Sequence, residues 1–212
     1  MNWESAILLF VTLIISLTVH EAAHALVAMW GGDRTAYYGG QVTVNPIPHI
    51  QREPFGMLIL PMLALALSNG TSTFGFAHAP YDPRWAQRHP GKAALMAAAG
   101  PLANLLLATI AFGVLWFIGR PDSNTDDTVR KIAGQFLYLN LLLAVFNAIP
   151  VPPLDGAAIV RGLVPPARRL YDALERIPYS GIIIFVLLIR YVSVLFRPVF
   201  WTVNDWLPYP IR

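Results

Sequence analysis

His20-Glu21-Ala22-Ala23-His24 sets two imidazoles one helical turn apart, with a carboxylate between them. Residues four apart on a helix share a face, so both rings can reach one metal ion, and zinc is the ion this spacing suits. Glu21 projects beside the pair, where it can take a proton from a water that the metal activates. The pattern lies inside an apolar run: Ala6 to Val19 precede it and Ala25 to Trp30 continue it. Ionisable side chains are costly and depleted at membrane depth, which lowers the background of chance matches. Glu21 has no Lys or Arg in its own segment, and a metal cation would supply the missing charge.

A second landmark is Asn147-Ala148-Ile149-Pro150-Val151-Pro152-Pro153-Leu154-Asp155-Gly156. Three prolines in four positions cannot continue a helix, because each lacks an N–H and clashes with the preceding turn. Unwound backbone at membrane depth is tolerated only where protein buries it or a wet cavity meets it. Asp155 is thus a candidate third ligand, delivered by broken chain. The alternative is a proline-rich helix exit in which Asp155 caps the next short helix.

The elements that must position these groups read as membrane helices. The 212 residues are 56% apolar and only 13% charged, outside the balance of soluble domains. Six Trp and eight Tyr suit interfacial belts. A dispersed net charge of +3 gives no argument for nucleic acid, and the absence of cysteine excludes disulfides and thiolate sites. Apolar segments fall at Ser5–Trp30, Pro54–Asn69, Lys92–Gly119, Val129–Ile149 and Ser180–Val203. The first is expected to be a retained helix rather than a signal peptide, since Glu4 replaces the usual positive n-region. The expected architecture is one all-α, multi-pass membrane domain over residues 1–212, with a short re-entrant or β-hairpin loop after the first helix.

With these two motifs together, the chain resembles the site-2 protease family of intramembrane zinc metalloproteases. Ala99-Gly100-Pro101-Leu102-Ala103-Asn104 is similar to the G-P-x-x-N segment of that family's middle core helix. Asn45-Pro46-Ile47-Pro48-His49-Ile50 is similar to an element of its compact bacterial and archaeal members, which lack PDZ and CBS domains; Gln51 departs from the Asp usual there. The resemblance covers about Leu8 to Arg161 and leaves the last helix unmatched. It implies His20, His24 and Asp155 as zinc ligands, Glu21 as general base, and Asn147 as a polar group near the substrate backbone; the alternative for Asn147 is a hydrogen bond to the freed carbonyls around Pro150. It also implies a transmembrane or membrane-associated protein substrate and a prokaryotic plasma membrane.

Depth gives a consistency test. If every segment crossed, His20 and Asp155 would lie on opposite sides, so one segment must fail to cross, and Pro54–Asn69 is the shortest. Arg34, Arg52, Arg84, Arg88, Lys92, Arg161, Arg168, Arg169 and Arg176 then share one side, which the positive-inside rule makes cytoplasmic. This reading has four spanning helices, an outside N-terminus and a site nearer the cytoplasmic face.

A helical substrate must unwind before attack. Gln41–Val44 alternates like a strand after the turn signal Gly39-Gly40, so it is expected either to pair with substrate backbone or to plug the site as a small hairpin. Asn45 and His49 are candidates for the mouth of the site, whereas His78 and His89 read as solvated loop histidines. The alanines of Ala93–Ala103 read as a close-packing surface. Two rival functions stay open: a zinc-dependent membrane hydrolase of a lipid or small amide, and a non-catalytic metal-binding membrane protein.

Overall fold

A computed structural model of the chain describes residues 3–118 and 124–211. Among the described residues, three helices are long and apolar enough to cross a bilayer: α1 (Trp3–Gly31), α6 (Pro90–Ile118) and the Thr128–Asn147 part of α7 (Asn124–Asn147). Between the first two lie α2 (Thr35–Tyr38), α3 (Pro46–Arg52), a wide π turn (Phe55–Ile59) and α4 (Leu60–Leu67), then α5 (Pro83–Arg88). After α7 come α8 (Asp155–Leu163), α9 (Ala167–Glu175) and α10 (Ser180–Asp205). The helix α10 matches the last apolar segment and exposes Ile183, Val186, Leu187, Val194 and Leu195, but it is not among the three helices long and apolar enough to cross.

The core is a three-helix unit in which α6 packs on both α1 and α7. Small side chains make this possible. Ala94, Ala97, Gly100, Asn104, Ala108 and Ala111 form the buried face of α6, so the backbones approach closely. The expected small-residue surface is therefore part of the helix contact. The amphipathic α8 lies on the same helix, with Gly162 so close that a Cβ there would stand 2.4 Å from the Pro90 carbonyl.

Hydrogen bonds give the register. Gly31 O accepts from Lys92 Nζ at 3.0 Å, and Ser16 O accepts from Asn104 Nδ2 at 3.3 Å. The helices α1 and α6 therefore run antiparallel, and the chain between them returns to the side it left. The whole stretch from 32 to 89 therefore makes no net crossing. Within it, α3 and the stretch Phe55–Leu67 form a pair bent by 112°. The π turn precedes Pro61, whose missing N–H interrupts the regular ladder. Asn69 and Gly70 adopt positive φ and end α4, with Gly70 N–H donating to Leu65 O at 2.8 Å.

The hairpin alternative is corrected here: no strand is present among the described residues. Pro46 suits the first turn of a helix, and Asn45 caps α3 by accepting from Ile47 N–H at 3.0 Å, so the four alternating residues lead into a helix. Gln41 is buried, its N–H donating to Ala36 O at 2.9 Å, and offers no edge for pairing.

Asp33 fastens the two ends of this excursion. Its Oδ1 accepts from the Thr35 N–H and hydroxyl at 2.9 and 2.6 Å, and its Oδ2 accepts from Asp82 N–H at 2.7 Å. Burial alone would raise this carboxyl, but the bonds from Thr35 and Asp82 outweigh it and hold it below its ordinary value. A lowered folded-state value stabilises the protein above the ordinary pKa of about 3.9, and the gain is lost as pH falls through the lowered value. Asp33→Asn should cost about 1–2 kcal/mol near neutrality and flatten the acid limb of a pH series of thermal unfolding midpoints. An unchanged acid limb would count against this assignment.

Candidate metal centre

His20 and His24 lie on the buried face of α1, and both side chains are almost fully enclosed. The helix α7 ends at Asn147, and the proline-broken stretch after it turns straight into α8, whose first residue is Asp155. The start of α8 sits hard against the end of α7: a Cβ at Gly156 would stand 2.4 Å from the carbonyls of Ala148 and Ile149. Tyr171, on α9, steadies the broken stretch by donating from its hydroxyl to Pro150 O at 2.8 Å.

This arrangement brings the sequence-distant Asp155 to the two imidazoles. Asp155 Oδ2 lies 3.1 Å from His20 Nε2 and 3.4 Å from His24 Nε2, while the two Nε2 atoms are 3.0 Å apart. His24 Nδ1 lies 2.7 Å from Met96 O, which can only accept, so this nitrogen carries a proton and Nε2 is the ring atom left for a metal. The turn holding Met96 precedes Pro101, where the backbone ladder of α6 is interrupted. His20 Nδ1 is 2.5 Å from Asn104 Oδ1. Both rings thus aim Nε2 at a carboxylate oxygen, and three electron-rich atoms converge on one point. A proton relieves one such pair; a divalent cation relieves all three. The donor set, two imidazoles and a carboxylate, is one zinc accepts, with a fourth position left for water.

Glu21 fits the same picture. It is 3% exposed, and its Oε2 has no hydrogen-bond partner. Ligand atoms of His20, Glu21 and His24 all lie within 4.8 Å of one another, a group able to hold a metal ion. A bare buried carboxylate is costly, and a nearby cation offsets that cost. Gly100 supplies the room. A Cβ there would stand 2.4 Å from His24 Nε2 and 2.5 Å from His20 Nε2, so α6 faces the convergence point with no side chain.

The other candidate residues are placed differently. Asn147 donates from Nδ2 to Leu143 O, one turn back in its own helix, at 3.0 Å. Asn45 is exposed and occupied as the cap of α3. His49 is buried at 1% exposure; its Nε2 lies 2.9 Å from Thr43 O and its Nδ1 has no partner. His78 is exposed. Asn140 was missed in the sequence: it is fully buried, and its Oδ1 accepts from Asn104 Nδ2 at 2.9 Å. An amide inside an apolar helix was the available signal.

The model of the family described as "Peptidase family M50" matches residues 8–127 and 120–189 of this chain. The protein YwhC of Bacillus subtilis (strain 168) is 35% identical over 198 residues, covering 91% of this chain and 84% of YwhC. Rip2 of Mycolicibacterium smegmatis is 29% identical over 180 residues, covering 83% of this chain and 64% of Rip2. MJ0611 of Methanocaldococcus jannaschii is 39% identical over 67 residues, 31% of this chain and 32% of its own. All three names include the words "zinc metalloprotease". No solved structure matches the chain.

Proposed function

Since the chain belongs to peptidase family M50, the site-2 protease family, we propose that it is a single integral-membrane zinc metalloprotease domain. It hydrolyses peptide bonds of transmembrane or membrane-associated proteins, within or near the bilayer. The observation that carries this reading is the convergence of His20 Nε2, His24 Nε2 and Asp155 Oδ2 beside a buried Glu21 whose Oε2 has no partner. His20, His24 and Asp155 would hold the zinc. When bound, zinc supplies Lewis acidity, which makes a water nucleophilic near neutral pH and polarises a carbonyl.

The residues of the chain do the rest. Glu21 accepts the proton of the attacking water and returns it to the leaving amine, so one carboxylate serves as base and then acid. Its burial keeps bulk water from competing for that proton. Asn147, Asn45 and His49 are the candidates for contact with an unwound substrate. The Nδ1 of His49 is free to accept a hydrogen bond, whereas Asn147 would first give up its bond to Leu143 O.

The membrane assignment rests on the three long apolar helices. The outward-facing Leu58, Ile59, Met62, Leu63 and Leu67 support a segment that dips into hydrocarbon and returns. With α10 as a fourth crossing, the bias of Arg and Lys puts the N-terminus outside and the site nearer the cytoplasmic face of a prokaryotic plasma membrane.

The test is cleavage of candidate single-span membrane proteins by purified protein in lipid, with zinc content measured alongside. Cleavage that is lost on chelation and regained with zinc supports the reading. Bound zinc with hydrolysis of lipids or small amides alone would favour the membrane-hydrolase alternative. Bound zinc with no hydrolysis of either kind would favour a metal-binding role. For orientation, a reporter fused after Asn69 should remain untranslocated.

A further inference from the structure

Three helices meet at a chain of amides behind His20, and backbone carbonyls fix which way each amide points. Asn140 Nδ2 lies 2.9 Å from Phe136 O, an acceptor only, so its Oδ1 faces α6. Asn104 Nδ2 lies 3.3 Å from Ser16 O, again an acceptor only, and 2.9 Å from Asn140 Oδ1. Both contacts require the NH2 group at that position, which leaves Asn104 Oδ1 facing His20 Nδ1 at 2.5 Å. An oxygen there can only accept, so His20 must carry its proton on Nδ1.

We propose that Asn140 on α7 and Asn104 on α6 form a directional hydrogen-bond relay that fixes the tautomer of His20. The relay runs from Phe136 O on α7 through both amides to the imidazole on α1, so a carbonyl two side chains away decides that Nδ1 keeps a proton and that Nε2 is the nitrogen left for a metal. Both asparagines are fully buried, with no measurable exposure, so no bulk water competes for these bonds. Neither asparagine touches the convergence point; both are positioning residues that act through His20. The relay rests on the metal reading only for its purpose, since the tautomer follows from the hydrogen bonds alone. Partners that orient a metal-binding imidazole typically change metal affinity or activity by about 10–100-fold when removed.

The test uses full-length protein in lipid nanodiscs with 15N-labelled histidine, with the His20 signal identified by its loss in a His20→Gln sample. Wild-type His20 should show an Nδ1-bonded proton with zinc bound and after chelation. An Nδ1 without a proton in chelated wild type overturns the relay, whatever the variants do. Asn140→Leu removes the α7 link but leaves Asn104 its longer bond to Ser16 O. It should give a mixture of tautomers after chelation and weaken zinc binding about tenfold. Asn104→Leu removes the link to the ring itself and should weaken binding towards the upper end of about 10–100-fold. If Asn140→Leu keeps wild-type tautomer and affinity, the relay is overturned. A variant that fails to fold leaves the decision with the wild-type spectrum. Wild type that binds no zinc would end the metal reading yet leave the tautomer measurable, so the two failures are distinguishable.

Discussion

Glu21→Gln should retain zinc and lose cleavage by about 10²–10⁴-fold, the range that a positioned general base contributes. Glutamine keeps the shape of the side chain, so the enclosed space around it need not rearrange. It cannot take up a proton, which removes the one step assigned to Glu21. It also removes a carboxylate whose Oε2 is buried without a partner, so stability should hold or rise. The measurements are substrate cleavage, metal content and thermal unfolding on the same preparations. Equal cleavage by the two proteins would take Glu21 out of the mechanism. Lost cleavage together with lost metal would make it a ligand instead.

Gly100→Ala should cost the protein its metal. The added methyl would stand 2.4 and 2.5 Å from the two Nε2 atoms, inside the space a shared ion needs. Zinc–imidazole bonds are about 2.0–2.1 Å, so ion and methyl compete for one place. Relief requires moving α6 away from α1, against the close contact of its small-residue face. Overpacking of this kind costs about 1–3 kcal/mol, and bound zinc and cleavage should both fall at least tenfold. Gly113→Ala is the control: it lies on the same helix, and its Cβ would meet nothing within 4 Å. Alanine there should leave the metal in place and raise stability by up to about 1 kcal/mol. Equal zinc content in the two variants would show that Gly100 does not shape the site.

Much of this was legible in the sequence, for identifiable reasons. Apolar runs marked α1, α6 and α7 to within a few residues because length and hydropathy leave little else for such segments. The proline cluster marked the break before Asp155, since no helix survives three prolines there. The return of the chain between α1 and α6 followed from requiring His20 and Asp155 at one depth. The stretch Gln41–Val44 misled because alternation over four residues is too short to outweigh Asn45-Pro46, which starts a helix. Asn140 stayed hidden because its partners lie on other helices, and a sequence gives no distances between helices. The opening at Gly100 was hidden for the same reason: a glycine's neighbours across a contact are not written in its own segment.

The knot at Gly31, Asp33, Asp82, Trp85 and Lys92 ties together the two ends of the excursion it closes. Gly31 O takes bonds from Trp85 Nε1 and Lys92 Nζ, and Asp33 holds Asp82 N–H, so the stretch from 34 to 81 leaves and rejoins the bundle at one point. Bending or even severing the chain near the π turn would slacken local bonds such as Phe76 N–H to Gly56 O. The disturbance would reach α1 through side-chain packing, because Met57 of the π turn sits in one buried cluster with Leu13, Ile14 and Leu17, one to two turns before His20.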